Sequence, residues 1–262
     1  MIPTLTPTEV ERYRRQMMLP GLGETGQRQL KNTTALVTGV GGLGGTAALY
    51  LAVAGVGKLI LVRGGNLQRD DLNRQILMTD DWVGKPRVFK AQKTLNNLNP
   101  DIKIEAVCEY VSANNIDSLV RQADIALDCA FDFKERDLLN SACVRQGKPM
   151  VEAAMNSMEA YLTTIVPGKT PCLTCLFPEK PDWDRWGFGV LGAVSGTLAC
   201  LAALEAIKLI TGLGTPLLGQ LLTMDLARAE FAKRRPYHDP NCIVCGQMTQ
   251  LSDSLASTSS CC

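Results

Sequence analysis

The sequence predicts an α/β fold built on a doubly wound, mostly parallel sheet. Three observations predict it. Short apolar runs rich in β-branched residues, such as TALVTGV (34–40), KLILV (58–62) and DIALDCA (124–130), alternate with helix-length segments. That is the pattern of strands covered on both faces. A glycine-rich turn, GVGGLGG (39–45), stands between the first of these strands and a helix. Two C-x-x-C pairs lie far apart in the second half and suit a structural zinc site.

The elements follow in order. Residues 7–31 predict one or two helices, with Thr8 as cap and Glu11 completing a capping box. The strand at 34–40 leads into a helix over 45–57 and a second strand at 58–62. A helix over 85–97, a strand KIEAVCEYV (103–111) and a helix over 114–122 come next. The strand 124–130, a helix over 134–146 and the strand PMVEAA (149–154) complete the core. AYLTTIVP (160–167) and QLLTMDL (220–226) read as a C-terminal sheet extension, separated by a long helix over 190–211.

The 262 residues suit a single nucleotide-binding domain over 1–250. Within it we expect N-terminal helices at 7–31, a Rossmann-like core at 33–155 and a C-terminal part at 156–247 that carries the zinc cysteines. Residues 250–262 are expected to form a disordered tail. Lys plus Arg is 27 and Asp plus Glu is 26, a net of +1, which argues against bulk capture of nucleic acid or anionic membrane. The N-terminus has no signal-peptide pattern. The weakly polar run Val190 to Leu204 is shorter than the ~20 residues of a membrane span. A cytoplasmic protein is therefore expected, and its ten cysteines suggest metal or catalysis before disulfides.

Gly39, Gly41 and Gly44 fit G-x-G-x-x-G. The first permits the tight turn, the second lets a phosphate approach the backbone, and the third lets helix and strand pack closely. The helix N-terminus would offer N–H groups to that phosphate. A glycine-rich turn in an ordinary α/β fold is the alternative. The acid that normally meets the ribose ~20 residues on is missing. The second strand instead runs into Arg63-Gly64-Gly65.

PCLTC (171–175) and NCIVCG (241–246) place Cys172, Cys175, Cys242 and Cys245 as four thiolates for a closed, structural Zn²⁺ site. Buried or redox-active cysteines are the alternative. Cys108, Cys129, Cys143 and Cys200 are expected to pack in strands and helices, and Cys261 and Cys262 have no assigned role. A third group is charged: Arg74 past the second strand, Arg87 at a helix start, Asp128 at a strand end, and Arg14 and Arg15 on the N-terminal helix. Ligands of open α/β sheets bind beyond the carboxyl ends of the strands. Asp128 would there hold Mg²⁺ and the arginines would clamp phosphates. Taken singly, each could equally be a solvated surface charge.

RYRRQ (12–16), GVGGLG (39–44), LAVAGVGKLILV (51–62), NRQIL (73–77), VGKPR (83–87), LDC (127–129), the cysteine pairs, GVLGAVSG (189–196) and LEAIKLITG (204–212) together resemble the HesA/MoeB/ThiF family. These proteins are relatives of ubiquitin-activating enzymes. The resemblance covers roughly residues 8–247 and is strongest to the HesA branch, which is associated with nitrogen-fixing, heterocyst-forming cyanobacteria. It implies an enzyme that uses MgATP to adenylate the C-terminal Gly-Gly carboxylate of a ubiquitin-like sulfur-carrier protein, releasing pyrophosphate. The sulfur would serve cofactor or metallocluster biosynthesis. The resemblance further implies that Gly41 and its neighbours Gly39, Gly42 and Gly44 pack against the nucleotide. Arg74 would bind phosphates, flanked by Asn73 and Gln75. Arg87 would stand at the phosphate-binding lysine and Asp128 would hold Mg²⁺. The four paired cysteines would bind zinc, and Arg15 would reach into the partner's site of a homodimer.

The departures are specific. Arg63-Gly64-Gly65 replaces an Asp-x-Asp, Asp70-Asp71-Leu72 replaces Ser-Asn-Leu, Arg87 replaces the lysine, and Ala130-Phe131-Asp132 replaces Thr-Asp-Asn. Asp70 and Asp71 could stand in for the missing carboxylates or repel the triphosphate. Arg185 takes the position of a reactive cysteine found in some members, so a thioester step is not expected. Two alternatives stay open: a catalytically degenerate, zinc-stapled dimeric scaffold or assembly factor, and an NADP-dependent oxidoreductase with Arg63 at a 2′-phosphate.

Overall fold

The structure, a computed structural model, describes residues 3–180 and 189–246. The expected tail at 250–262, with Cys261 and Cys262, and the Arg185 position lie outside the described residues.

Eight strands form one sheet: β1 (Thr34–Thr38), β2 (Lys58–Val62), β3 (Lys103–Val107), β4 (Ile125–Asp128), β5 (Met150–Asn156), β6 (Glu159–Ile165), β7 (Leu221–Asp225) and β8 (Glu230–Arg234). Their order is β3-β2-β1-β4-β5-β6-β7-β8. The pairs from β3 through β5 are parallel, and those from β5 through β8 are antiparallel. The mostly parallel core with a C-terminal extension is therefore as expected.

Alternation along the strands explains the two layers. Val37, Leu59 and Leu61 enter one core with Leu51 of α3 (Gly42–Ala54), Leu95 of α4 (Arg87–Leu98) and Ala202 of α8 (Gly192–Thr211). Leu36, Ile60 and Val62, one residue out of phase, enter a second core with Leu119 of α5 (Ile116–Arg121) and Leu139 of α6 (Phe133–Gln146). Side chains of period two face opposite sides of a strand. Burial on both sides is why these strands read as unbroken apolar runs rather than alternating ones.

Two features differ from expectation, while the long apolar helix lies where the sequence puts it. Helix α1 (Pro7–Met17) is capped two residues earlier than predicted. Thr6 accepts from the Glu9 N–H at 3.2 Å and Glu9 returns to the Thr6 N–H at 2.7 Å. Pro7 at the first helical position, with its φ preset for a helix, moves the start forward. Strand β8 has no apolar signal, because all five of its residues are exposed on the sheet edge. Helix α8 is 20 residues long and, by length and composition alone, could cross a membrane. It packs instead on α3, α2 (Gly23–Asn32), β5 and β6. Its buried Glu205 accepts from Thr164 Oγ1 at 2.9 Å and from the Leu217 N–H at 2.8 Å, which ties the helix to the sheet.

Candidate nucleotide cleft and metal centre

From β1 the chain builds outward through β2 and β3, then returns to place β4 and β5 on the other side. That reversal between β1 and β4 is the switch point at which open sheets bind ligands. A cleft opens there beyond the carboxyl ends of the strands. Its wall includes Gly39, Gly41, Gly42, Arg63, Asp70, Asp71, Arg74, Gln75, Arg87, Arg136 and Ser195.

Two of the glycines have the turn and packing geometry that the spacing predicts. Gly39 sits at φ +88°, and a Cβ there would meet the Cys129 carbonyl at 2.5 Å. Gly44 does not face the cleft. A Cβ on it would lie 2.0 Å from the Gly39 carbonyl, so its role is the close approach of α3 to the loop. Gly41 is the N-cap of α3 and leaves its surroundings open.

A short 3₁₀ turn, Arg69–Asn73, delivers the polar wall. Arg74 donates from Nη1 to the Asp70 carbonyl at 2.8 Å and to Asn73 Oδ1 at 2.9 Å. Buried Asp71 lies 3.1 Å from Arg74 Nη2 and 3.1 Å from Arg87 Nη1. Arg87 also donates to the Asn66 carbonyl. Asn73 is exposed, is not part of the cleft wall, and donates from its amide to the carbonyl of the wall residue Val190 at 3.3 Å. Gln75 is buried, and its Oε1 has no hydrogen-bond partner among the described residues.

Asp128 is not brought to the cleft. It is fully buried behind the wall made by Cys129, Ala130 and Phe131. Oδ1 accepts from the Ala130 N–H at 3.0 Å and from Thr38 Oγ1 at 3.4 Å. Arg136 Nη1 stands 3.8 Å from the same oxygen and 2.6 Å from Glu152, the register partner of Asp128 on β5. Burial, and then the charge of Asp128, push the Glu152 carboxyl well above the usual range. Its Oδ2 has no hydrogen-bond partner among the described residues, and the side chain is not part of the cleft wall.

Arg14 and Arg15 also leave the predicted group. Helix α1 lies at the amino ends of the strands, where Arg12 pairs with Asp101 at 3.3 Å and Gln16 donates to the Ala54 carbonyl at 2.8 Å. Arg15 is exposed there, away from its own cleft. Arg63, in contrast, lines the cleft. It is held 3.6 Å from Glu135 and lies over the Tyr110 ring at 5.2 Å. That ring rests on Gly64 and Gly65, where a Cβ would come within 2.6 Å of it. Arg136 and Ser195 went unread as cleft residues. Arg136 sits within a helix with no clear apolar stripe and Ser195 in a small-residue run, so neither carries a spacing signal.

Cys172, Cys175, Cys242 and Cys245 bring their sulfurs within 4.8 Å of one another. Cys172 to Cys242 is 3.7 Å and Cys175 to Cys245 is 3.4 Å. Four thiolates 2.3 Å from a tetrahedral Zn²⁺ would stand about 3.8 Å apart, so the set fits that ion. The Cys172 thiol is drawn down to about 5 by its hydrogen bond with Cys245, while Cys245 is pushed up by the same contact. His238 Nε2 approaches Cys245 Sγ at 3.5 Å. A Cβ on Gly246 would meet the Pro240 carbonyl at 2.5 Å, as the tight knuckle requires. The cluster joins α7 (Leu173–Leu176) to the segment 235–246, which has little regular structure of its own. Chelation with a strong zinc ligand is therefore expected to leave the sheet folded. Trypsin cleavage after Lys233 and Arg234 should speed up at least tenfold. Unchanged cleavage after complete metal removal would refute a stapling role.

A second concavity crosses the exposed face of β5–β8, lined by Tyr161, Thr223, Met224, Phe231 and Arg234. Met155 lines both this groove and the cleft.

The profile of the ThiF family matches residues 13–244. "Protein HesA, heterocyst" from Trichormus variabilis is 75% identical over 242 residues, covering 92% of this chain and 91% of that protein. "Sulfur carrier protein adenylyltransferase" from Thermus thermophilus is 38% identical over 253 residues, 92% of each chain. Among solved structures, E. coli MccB crystallised with ATP superposes with a TM-score of 0.78 at 26% identity, covering 92% of this chain and 75% of that one.

Proposed function

The chain belongs to the ThiF family, and on that premise we propose that it adenylates the C-terminal Gly-Gly carboxylate of a ubiquitin-like sulfur-carrier protein. One observation carries the proposal above the others. Arg74 and Arg87 stand side by side on a glycine-floored cleft at the switch point of the sheet. A carboxylate oxygen of the carrier attacks the α-phosphorus of ATP. The bond from that phosphorus to the oxygen bridging toward the β-phosphate breaks, and pyrophosphate leaves with the electron pair. The protein's part is positioning and charge neutralisation. Arg74 and Arg87 hold the departing phosphates, and the α3 N-terminus with Gly41 and Gly42 faces the remainder.

Gln75 Oε1, buried without a partner among the described residues, offers an acceptor to a ribose hydroxyl or to the adenine amino group. The groove across β5–β8 gives the carrier a path to the cleft, ending at Met155. Arg15, exposed and remote from its own cleft, supports a homodimer in which it acts on the partner's site. Structural zinc at the four cysteines and a cytoplasmic location complete the reading. The identity with a heterocyst-named protein supports a link to nitrogen fixation, with the sulfur feeding a metallocluster.

A degenerate scaffold is the second reading, favoured by the sealed position of Asp128. The oxidoreductase reading falls with family membership. Pyrophosphate exchange decides between the first two. The purified protein is incubated with magnesium, ATP, labelled pyrophosphate and sulfur carriers ending in Gly-Gly. Carrier-dependent label in ATP is expected. ATP binding without exchange on any carrier would leave only the scaffold.

A further inference from the structure

Two positions at which the chain departs from the pattern it resembles touch one another. Asp71 stands where that pattern has asparagine, and Arg87 stands where it has lysine. Asp71 is 6% exposed and Arg87 is 7% exposed. The Asp71 carboxylate lies between two guanidiniums, with Oδ1 3.1 Å from Arg74 Nη2 and Oδ2 3.1 Å from Arg87 Nη1. Oδ2 also accepts from the Gln68 N–H at 2.9 Å, which fixes the carboxylate to the start of the 3₁₀ turn.

We propose that Asp71 is a positioning residue that aligns Arg74 and Arg87 as one polyphosphate clamp. In this view Asp71 and Arg87 are a single compensated exchange rather than two separate losses. The proposal rests on the reading that ATP binds in this cleft. The physical reason lies in the shape of the cations. A lysine ammonium is a point charge that needs no orienting partner, whereas a guanidinium presents donors in a fixed plane. Two guanidiniums side by side, one of them buried, also repel each other. A carboxylate between them lowers that repulsion and sets both planes. The three groups together keep a charge of +1, enough to attract a polyphosphate.

The alternative role, repulsion of the phosphates, predicts the opposite sign. Asp71→Asn removes a negative charge while its Oδ1 can still accept from Gln68. If Asp71 repels phosphate, this variant binds more tightly. If it positions the arginines, the variant binds more weakly despite its higher positive charge.

The probe is inorganic triphosphate, titrated calorimetrically into the full chain, with adenosine as a second probe of the same cleft. Asp71→Asn is expected to weaken triphosphate binding at least tenfold, and Arg87→Lys alone at least threefold. The double variant Asp71→Asn/Arg87→Lys should return to within threefold of the parent. Adenosine binding should stay unchanged throughout, which separates positioning from misfolding. Equal or tighter triphosphate binding by Asp71→Asn overturns the proposal. So does a double variant no better than the weaker single, or a parent that does not bind triphosphate. Failure of adenylation reads differently: the parent binds triphosphate and the variants follow the expected order, but no pyrophosphate exchange occurs.

Discussion

Arg74→Ala is expected to lower carrier-dependent pyrophosphate exchange by about a thousandfold, the scale for removing one preorganised donor from a charged transition state. Arg74 is the wall residue most firmly aimed by its surroundings. Its guanidinium is tied to the Asp70 carbonyl, Asn73 Oδ1 and Asp71. Its stem packs where a Cβ on Gly42 would come within 3.2 Å. Such preorganisation requires no reorientation when charge develops on the leaving pyrophosphate. The side chain is a quarter exposed at its polar end, so alanine should fold without leaving a large cavity. Exchange within tenfold of the parent would show that the cleft does not use Arg74 in the chemical step.

The second large effect is on stability. Arg136→Leu is expected to destabilise the fold by about 3–5 kcal/mol, the range for removing one partner of a buried ion pair. Its side chain is 3% exposed and its contacts are dense: Glu152 at 2.6 Å, and the Ala130 and Ala153 carbonyls at 2.6 and 3.1 Å. Without it, Glu152 and Asp128 would face each other in the sheet interior with no cation. Glu152→Gln should be milder, because it removes one of the two carboxyls and keeps the arginine paired to Asp128. Urea unfolding of the three proteins checks the order. A midpoint for Arg136→Leu equal to that of the parent would show the network to be dispensable. Arg136 also holds the Ala130 carbonyl beside the cleft, so ATP affinity should fall along with stability.

The two predictions divide along the line between local and long-range order. The strands β1, β2 and β4 were legible because continuous apolar β-branched runs bury both faces whatever lies around them. The turn at Gly39, the approach at Gly44 and the four-cysteine knuckles were legible too. Each demands a residue type that local geometry leaves little freedom to change. Helix α1 was legible but misplaced by two residues, because Pro7 sets the start two residues ahead of the expected cap. Strand β8 was not legible, since an exposed edge strand needs only a neighbour's hydrogen bonds and no apolar pattern.

The cleft chemistry divided in the same way. Sequence position put Arg74, Arg87 and Asp128 beyond the ends of strands or at a helix start, which is a statement about backbone. Which of them face a ligand depended on side-chain packing. Arg136, from a different helix, meets Asp128 and Glu152 and seals them inside, while Arg74 and Arg87 converge on Asp71 at the wall. The missing acid after β2 changes meaning in this light. Arg63 fills its place, Tyr110 lies on the two glycines behind it, and Asp71 serves the arginines instead of a ribose. The sequence by itself determined the sheet, its switch point and the cysteine knuckles, because these follow from period, glycine geometry and thiol spacing. Only the tertiary structure decided which carboxylates are buried and which arginines are joined. Those pairings form between residues far apart in the chain, and no local pattern records them.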